Sequence, residues 1–417
     1  MSVLFGVIVG LFMLVLLVTA HEFGHFLMAR KNGVEVEEFG ICFPPRALCW
    51  RKVNGKWKRI PKKQWDKMPG DGLVISLNWL PIGGFCQMKG ESDAAKEKGS
   101  FGRASYWRKT KILFGGVAMN WLVAFVILTV LAVTGMPRFL DNQFEVAADS
   151  HVVVTSPVTL SNIKKDSPAA KAGFKEGDII KRIGRKTHTS CEEEPCPTTG
   201  AKQNEVNMPS DFTDYTKLYP GEEVMIYFER EGEEKSAVVK LNEEGSEYLF
   251  GAVLSGSAVH RSTWSAPIVG AGLTLQLTGE TFKGVGSLLV NLVTGIIKQV
   301  SPQSETRQEG SEALKTATDG LSGPVGIIGV LFPAFVSDGV TSVFFLVAII
   351  SISLACMNVL PIPALDGGRW LLITIFKLRK KELTKEKEEK IVGRAFMAIL
   401  ALALVVTIID VMRIVQR

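Results

Sequence analysis

Four stretches of the chain, residues 2–28, 112–136, 340–360 and 391–412, are apolar over lengths that match a bilayer. About 20 such residues span the roughly 30 Å hydrocarbon layer as a helix. The first stretch carries no charged side chain before His21, and the last carries Arg394 near its start and Asp410 near its end. A fifth apolar region, 262–300, is broken by Glu280 and Lys283, and its run from Gly284 to Ile297 is short for a crossing, so it reads as a surface-lying or partly embedded helix. Residues 301–320 are polar and read as a loop, after which a new apolar segment opens at Leu321.

The segments between these stretches follow other patterns. Residues 33–67 set Trp50, Trp57 and Trp65 among basic side chains, a composition that suits the membrane surface or a solvated loop. Residues 81–88 hold Gly83 and Gly84 between apolar residues, then Phe85 and an alternation with polar ones, which predicts a tight hairpin with a free edge. At membrane depth such backbone is tolerated only where protein or a water cavity satisfies it. From 150 to 250 the pattern changes to that of an α/β domain. Residues 152–163 read as a strand and its continuation, 167–172 as a helical turn closed by Gly173, 179–183 as a strand, 209–218 as a helix, and 223–230 and 236–241 as closing strands. Residues 187–208 interrupt this pattern as an inserted loop.

Composition agrees with a membrane protein: 47% of the 417 residues are hydrophobic. The first apolar stretch lacks a basic leader and runs straight into a polar motif, so it reads as retained. Eleven Lys/Arg lie from Arg30 to Lys67 and seven from Lys377 to Lys390, which places both loops in the cytoplasm and both termini, with residues 137–263, outside. The outer segment holds 15 Lys/Arg against 21 Asp/Glu, a net of −6, leaving +12 for the rest of a chain whose total is +6. The basic balance is therefore topology, and it gives no support to nucleic-acid binding. Cys42, Cys49 and Cys86 fall on the cytoplasmic side or its membrane boundary without CxxC spacing. Cys191 and Cys196 fall outside, where geometry decides whether a short-loop disulfide forms.

Chemistry is concentrated where the first apolar stretch ends, in His21-Glu22-Phe23-Gly24-His25. On a helix, His21 and His25 share one face and can grip one metal ion, while Glu22 stands where a general base acts on water. Polar groups at that depth are costly, which favours function over chance. Gly115 and Gly116 open the second apolar helix to close approach. Asn120, one turn beyond, either ties two helices together or hydrogen-bonds substrate backbone. The third span ends in Asn358-Val359-Leu360-Pro361-Ile362-Pro363-Ala364-Leu365-Asp366-Gly367, where the prolines break the helix. Asp366 lies on the same side of the bilayer as the two histidines, which makes it the best candidate for a third ligand. The alternative is a cap on a short following helix, 370–377.

His21-Glu22-x-x-His25, Pro81-Ile82-Gly83-Gly84 and Asn358-x-x-Pro361-x-Pro363-x-Leu365-Asp366-Gly367 occur in this order, with the α/β insert between the last two. Together they resemble the site-2 protease family of intramembrane zinc metalloproteases, in the bacterial type that includes the sigma-E regulator protease. The resemblance covers nearly the whole chain. It implies a polytopic α-helical membrane protein of about four transmembrane helices, carrying an inserted PDZ-like extracytoplasmic domain and a membrane-associated β-hairpin. The divisions are then 1–136, 137–263 and 264–417. It also implies one Zn²⁺ per chain held by His21, His25 and Asp366, with Glu22 activating water. Asn120, Asn358, Gly83, Gly84 and Phe85 would position substrate. Implied partners are single-pass membrane protein substrates such as anti-sigma factors or remnant signal peptides, the bilayer itself, and peptide ends at the PDZ-like domain. The implied location is a bacterial inner membrane. Val117 stands where relatives often have Pro, and the insert has room for one PDZ-like unit where the sigma-E regulator protease has two. A non-catalytic PDZ adaptor would leave His21, Glu22, His25 and Asp366 unexplained. A zincin of the soluble type on one anchor would need an aqueous cleft that the apolar flanks oppose. A transporter with a coordinating His/Asp site would move zinc without cutting peptides.

Overall fold

A computed structural model of the chain describes residues 3–53, 56–62, 65, 72–140, 142–185, 204–299, 303–319 and 323–415. In chain order the elements are α1 (Val3–Lys31), β1 (Val36–Val53), β2 (Lys56–Arg59), β3 (Val74–Met88), α2 (Tyr106–Thr134) and β4 (Met136–Pro137). Next come β5 (His151–Ile163), α3 (Pro168–Lys171), β6 (Ile179–Arg185), β7 (Asn204–Glu205), α4 (Pro209–Leu218), β8 (Glu223–Arg230), β9 (Glu233–Lys240) and β10 (Ala252–Arg261). The chain closes with α5 (Ala266–Gln299), α6 (Ser304–Asp319), α7 (Pro324–Gly326), α8 (Phe332–Asp338), α9 (Val340–Val359), α10 (Asp366–Leu378) and α11 (Lys385–Val415). The described residues divide into two compact units, Met1–Ala132 with Ser265–Arg417, and Val133–Trp264.

In the first unit α1, α2, α9 and α11 are long and apolar enough to cross a membrane. Their burial differs: 61% of the apolar window of α9 is buried, against 17% for α1 and 6% for α11, so α9 is central and α11 peripheral. Exposed side chains such as Phe12, Leu16, Leu122, Val126, Phe396 and Leu400 would be a liability in water and cost nothing against lipid tails. Helix α1 meets the α7–α8 segment through small residues. A Cβ on Gly6 would fall 2.5 Å from the Pro333 Cα, and one on Gly10 would fall 2.7 Å from the Phe332 ring. Pro333 has no N–H to give, and a π-helical turn, Ile327–Leu331, precedes it. The acid in the last span is accounted for here: Asp410 is buried and accepts the Gly326 N–H at 2.8 Å, in the opening turn of the α7–α8 segment where backbone N–H groups have no helical partner.

The segment 33–67, read from composition as surface or loop, contains β1 and β2. The alternation Val34-Glu35-Val36-Glu37, outweighed in the sequence by the basic and Trp residues, carries the signal. Residues 74–77 of β3 lie between two parts of β1, pairing with 38–41 and with 48–51, and the remainder of β3 turns back so that 84–88 pair antiparallel with 36–41. Strand 84–88 is therefore an edge. The turn falls at residues 81–83, between Leu80, which pairs with Phe43, and Gly84, which pairs with Ile41, so Gly83 closes the turn and Gly84 opens the returning strand. Phe26, Ala29, Phe39, Met88, Phe101, Ile112, Leu372 and Ile373 form one core joining this sheet to α1, α2 and α10.

One further expectation, a helix over 262–300, is met, and another is corrected. The 262–300 region is one continuous 34-residue helix, α5, whose first half is buried through Val269, Gly270, Leu273 and Leu277. Residues 304–319, expected as a loop, form α6, which lies against the second half of α5. Gly310 comes within contact of Gly295, and Lys298 pairs with Glu309 at 2.8 Å. A polar sequence rides there as a helix because its partner supplies the packing face.

The second unit is a seven-stranded sheet in the order β4-β10-β5-β6-β8-β9, with β7 on β6, and the short helices α3 and α4. Strand β10 continues the sheet beyond the strands expected from sequence. The core includes Val158, Leu160, Phe174, Ile180, Ile183, Phe212, Ile226, Phe228 and Phe250. Helix α3 is capped by the Ser167 hydroxyl, which accepts the Ala170 N–H at 3.1 Å. Asp178 is buried beside Arg230, which holds it at 2.7 and 2.6 Å, and it also accepts the Lys175 N–H at 2.9 Å. Burial alone would raise its carboxyl; Arg230 and the Lys175 N–H outweigh burial and hold it below the usual range. Cys191 and Cys196 lie outside the described residues, as does most of the inserted loop.

Candidate metal centre

Helices α1 and α2 cross where glycines remove the side chains between them: a Cβ on Gly115 would fall 2.7 Å from the Gly24 carbonyl oxygen. This close approach brings the HExxH turn of α1 onto α2. A Cβ on Gly116 would fall 2.5 Å from both His21 Cε1 and His25 Nε2, so only glycine leaves room for the two rings. The α9–α10 connection supplies the third group. Pro361 and Pro363 end α9, and α10 begins at Asp366 itself, with Leu365 at its N-cap and no side-chain cap bond. The capping alternative for Asp366 is not what the fold uses. Gly367 and Gly368 pack directly on the Val359 and Ile362 carbonyls, which folds α10 back against the end of α9.

His21, His25 and Asp366, more than 340 residues apart in sequence at the extreme, thereby converge. His21 Nε2 and His25 Nε2 are 3.1 Å apart, and each lies 3.2 and 3.3 Å respectively from Asp366 Oδ2. That oxygen is buried and has no hydrogen-bond partner. Three donor atoms with edges of 3.1–3.3 Å match one face of a tetrahedron around an ion held at about 2.0–2.1 Å. A buried carboxylate oxygen with no hydrogen donor, facing two ring nitrogens, fits a metal ion and is otherwise a cost to the fold. Among the described residues this is the one group of three or more His, Cys, Asp or Glu so placed.

Glu22 stands beside these atoms and near the Cys86 backbone N–H. The edge strand 84–88 therefore reaches the general-base position directly. Gly83 (φ +122) and Gly84 make this possible: a Cβ on Gly83 would fall 2.9 Å from Val18 Cγ1, and one on Gly84 would fall 3.4 Å from Thr19 Oγ1, two residues before His21. Phe85 packs within the sheet, across Gly40 and against Phe43 at 5.9 Å between ring centroids. Asn120 is fully buried and its side-chain amide lies 3.3 Å from His21 Nδ1. Asn358 is the exception among the candidates: its amide turns back to the Leu354 carbonyl of its own helix at 2.9 Å and meets none of the ligand atoms.

The sequence reading missed two parts. The Ile112 carbonyl accepts from His25 Nδ1 at 2.8 Å, a backbone contact with no residue signature. A cavity of about 940 Å³ also opens beside Asp366, lined by Met88, Leu365, Arg369 and Glu388 among others. Glu388 of α11 is buried there, accepts the Asp93 N–H at 2.9 Å and pairs with Arg369 at 3.2 Å.

Comparison with known proteins agrees with this geometry. The family profile described as Peptidase family M50 matches residues 9–403. The chain is 26% identical to the regulator of sigma-W protease RasP of Bacillus subtilis, over 95% of this chain and 96% of that protein. It is 29% identical to the zinc metalloprotease RasP of Shouchella clausii over 95% and 96%, and 24% identical to the zinc metalloprotease RasP of Oceanobacillus iheyensis over 98% and 99%.

Proposed function

Because this chain belongs to peptidase family M50, the site-2 proteases, we propose that it is a zinc-dependent intramembrane endopeptidase that cuts transmembrane segments of other membrane proteins. The observation that carries the reading is the triad of buried His21 and His25 with half-buried Asp366, whose Oδ2 is buried without a hydrogen-bond partner, set at the end of a membrane-length helix.

The three ligand side chains would hold one Zn²⁺. When bound, that ion supplies Lewis acidity, polarising the scissile carbonyl and lowering the pKa of water to about 7. Glu22 takes the proton as the water oxygen bonds to the carbonyl carbon, and returns it to the leaving amide nitrogen as the C–N bond breaks. The edge strand 84–88 receives the substrate in extended form, because a helical carbonyl is hydrogen-bonded within its own chain and shielded from attack. Gly83, Gly84 and Phe85 set the path of that strand. Asn358 contributes once substrate draws its amide from the Leu354 carbonyl.

The substrates are single-pass membrane proteins of the anti-sigma factor or remnant signal peptide type. The enzyme resides in a bacterial plasma membrane with its basic loops in the cytoplasm and the unit Val133–Trp264 outside. That unit acts as a PDZ-like domain taking peptide ends. Support comes from β10, which lies beside α4 and is covered by β4 only at Val259 and His260. The test is cleavage of a membrane-embedded reporter by protein reconstituted with zinc. Glu22→Gln is expected to abolish cleavage with protein level and zinc content unchanged; undiminished cleavage would sink the assignment.

A further inference from the structure

We propose that Asn120 is a positioning residue for the metal centre: its side-chain carbonyl accepts the Nδ1–H of His21 and so fixes that ring with Nε2 free to bind the ion. The inference rests on the zinc-protease reading and assigns Asn120 a role in holding the metal that is separate from any contact with substrate.

His25 Nδ1 faces the Ile112 carbonyl at 2.8 Å, and a carbonyl only accepts, so Nδ1 carries the hydrogen and, in the neutral ring, the Nε2 lone pair faces Asp366 and His21. A neutral imidazole has one N–H, so His21 is subject to the same requirement: to present a lone pair at Nε2 it must carry its hydrogen on Nδ1. What faces His21 Nδ1, at 3.3 Å, is the amide of Asn120, with Nδ2 towards the ring and Oδ1 buried without a partner. An N–H2 facing an N–H is two donors and no acceptor. A half-turn about the last side-chain bond brings Oδ1 to the ring and leaves the N–H2 on the unpartnered side, at almost no change in shape. The metal-binding tautomer of His21 thus dictates the orientation of the amide.

The helix register supports the pairing. Ile112, Gly116 and Asn120 follow at four-residue steps on one face of α2. The Ile112 carbonyl points towards the C-terminus of α2, while the Asn120 side chain leans towards its N-terminus. The two acceptors therefore converge on rings one turn apart on α1, with Gly116 providing the space between them. The position is held from behind as well: Ser351 of α9, fully buried, donates to the Asn120 backbone carbonyl at 2.8 Å. Acceptors of this type hold ring orientation and raise ligand basicity, and losing one typically weakens metal affinity 10- to 100-fold.

The experiment is a chelator competition on full-length protein in detergent, reading zinc retained per chain, with no substrate present. Asn120→Ala is expected to raise the zinc Kd by roughly 10- to 100-fold. Asn120→Asp, which keeps an acceptor and loses the amide donor, is expected to retain zinc at least as well as wild type. Equal zinc affinity for the alanine variant and wild type would overturn the proposal, as would an aspartate variant as weak as the alanine one. Should the alanine variant fail to fold, Asn120→Ser, whose hydroxyl is too short to reach His21, serves in its place with the same expectation. Wild-type protein that retains no zinc would overturn the metalloprotease reading itself, and the proposal with it.

Discussion

Two aspartates with buried carboxylate oxygens, one in each unit, show how differently the chain treats the same side chain. Asp178 is held at both oxygens by Arg230 and again by the Lys175 N–H. Asp366 faces two histidine nitrogens and keeps a buried oxygen without any hydrogen donor. A buried carboxylate is costly unless paired, so the first is complete as it stands and the second calls for a cation that the protein alone does not supply. The contrast separates a carboxylate that builds a fold from one arranged to do chemistry. Asp410 belongs with Asp178: the Gly326 N–H completes it, although it sits in a membrane-length helix.

The sharpest break between the two regions is expected from Glu22→Gln, which should lower turnover by roughly a hundred- to ten-thousandfold in a reporter-cleavage assay, with zinc still bound. Gly116→Ala comes next. Its new methyl would sit 2.5 Å from both rings, so zinc affinity measured by chelator competition should fall about a hundredfold while the second unit is unaffected. The converse is Arg230→Ala, which strands a buried carboxylate and should destabilise the second unit by about 2–3 kcal/mol, read by hydrogen exchange of the β6 and β8 amides, with zinc content unchanged. The smallest effect is the pH dependence of that unit. Asp178 has a lowered pKa in the fold, so the stability it contributes is full above the ordinary aspartate value and is lost as pH falls through the folded one. Exchange protection of β6 and β8 should therefore drop below about pH 4, and Asp178→Asn should flatten that response. A steeper response in the variant would remove Asp178 from the account.

Much of the candidate site is legible in sequence because its parts are local. His21, Glu22 and His25 need only one helical turn to share a face, and Pro361, Pro363 and the glycine pair at 367–368 announce a helix end beside Asp366. Four membrane-length helices follow from apolar run length alone. The sheet was less legible. In β1 the alternation is short and sits among charges and tryptophans, and the position of the β3 turn depends on which part of β1 each half pairs with. Helix α6 has no apolar face strong enough to be read, since its partner α5 provides the packing.

The sequence by itself determined which side chains could bind a metal and that they belong at the end of a membrane-length helix, because helix periodicity and the cost of charge in lipid are local rules. Only the tertiary structure decided that Asp366 reaches the two histidines, that Ile112 and Asn120 stand behind them on α2, and that the free edge of β3 meets Glu22 through Cys86. Those contacts join residues up to several hundred positions apart through a glycine-lined helix crossing and a strand that folds back on itself. Packing geometry fixes such contacts, and no spacing along the chain encodes them.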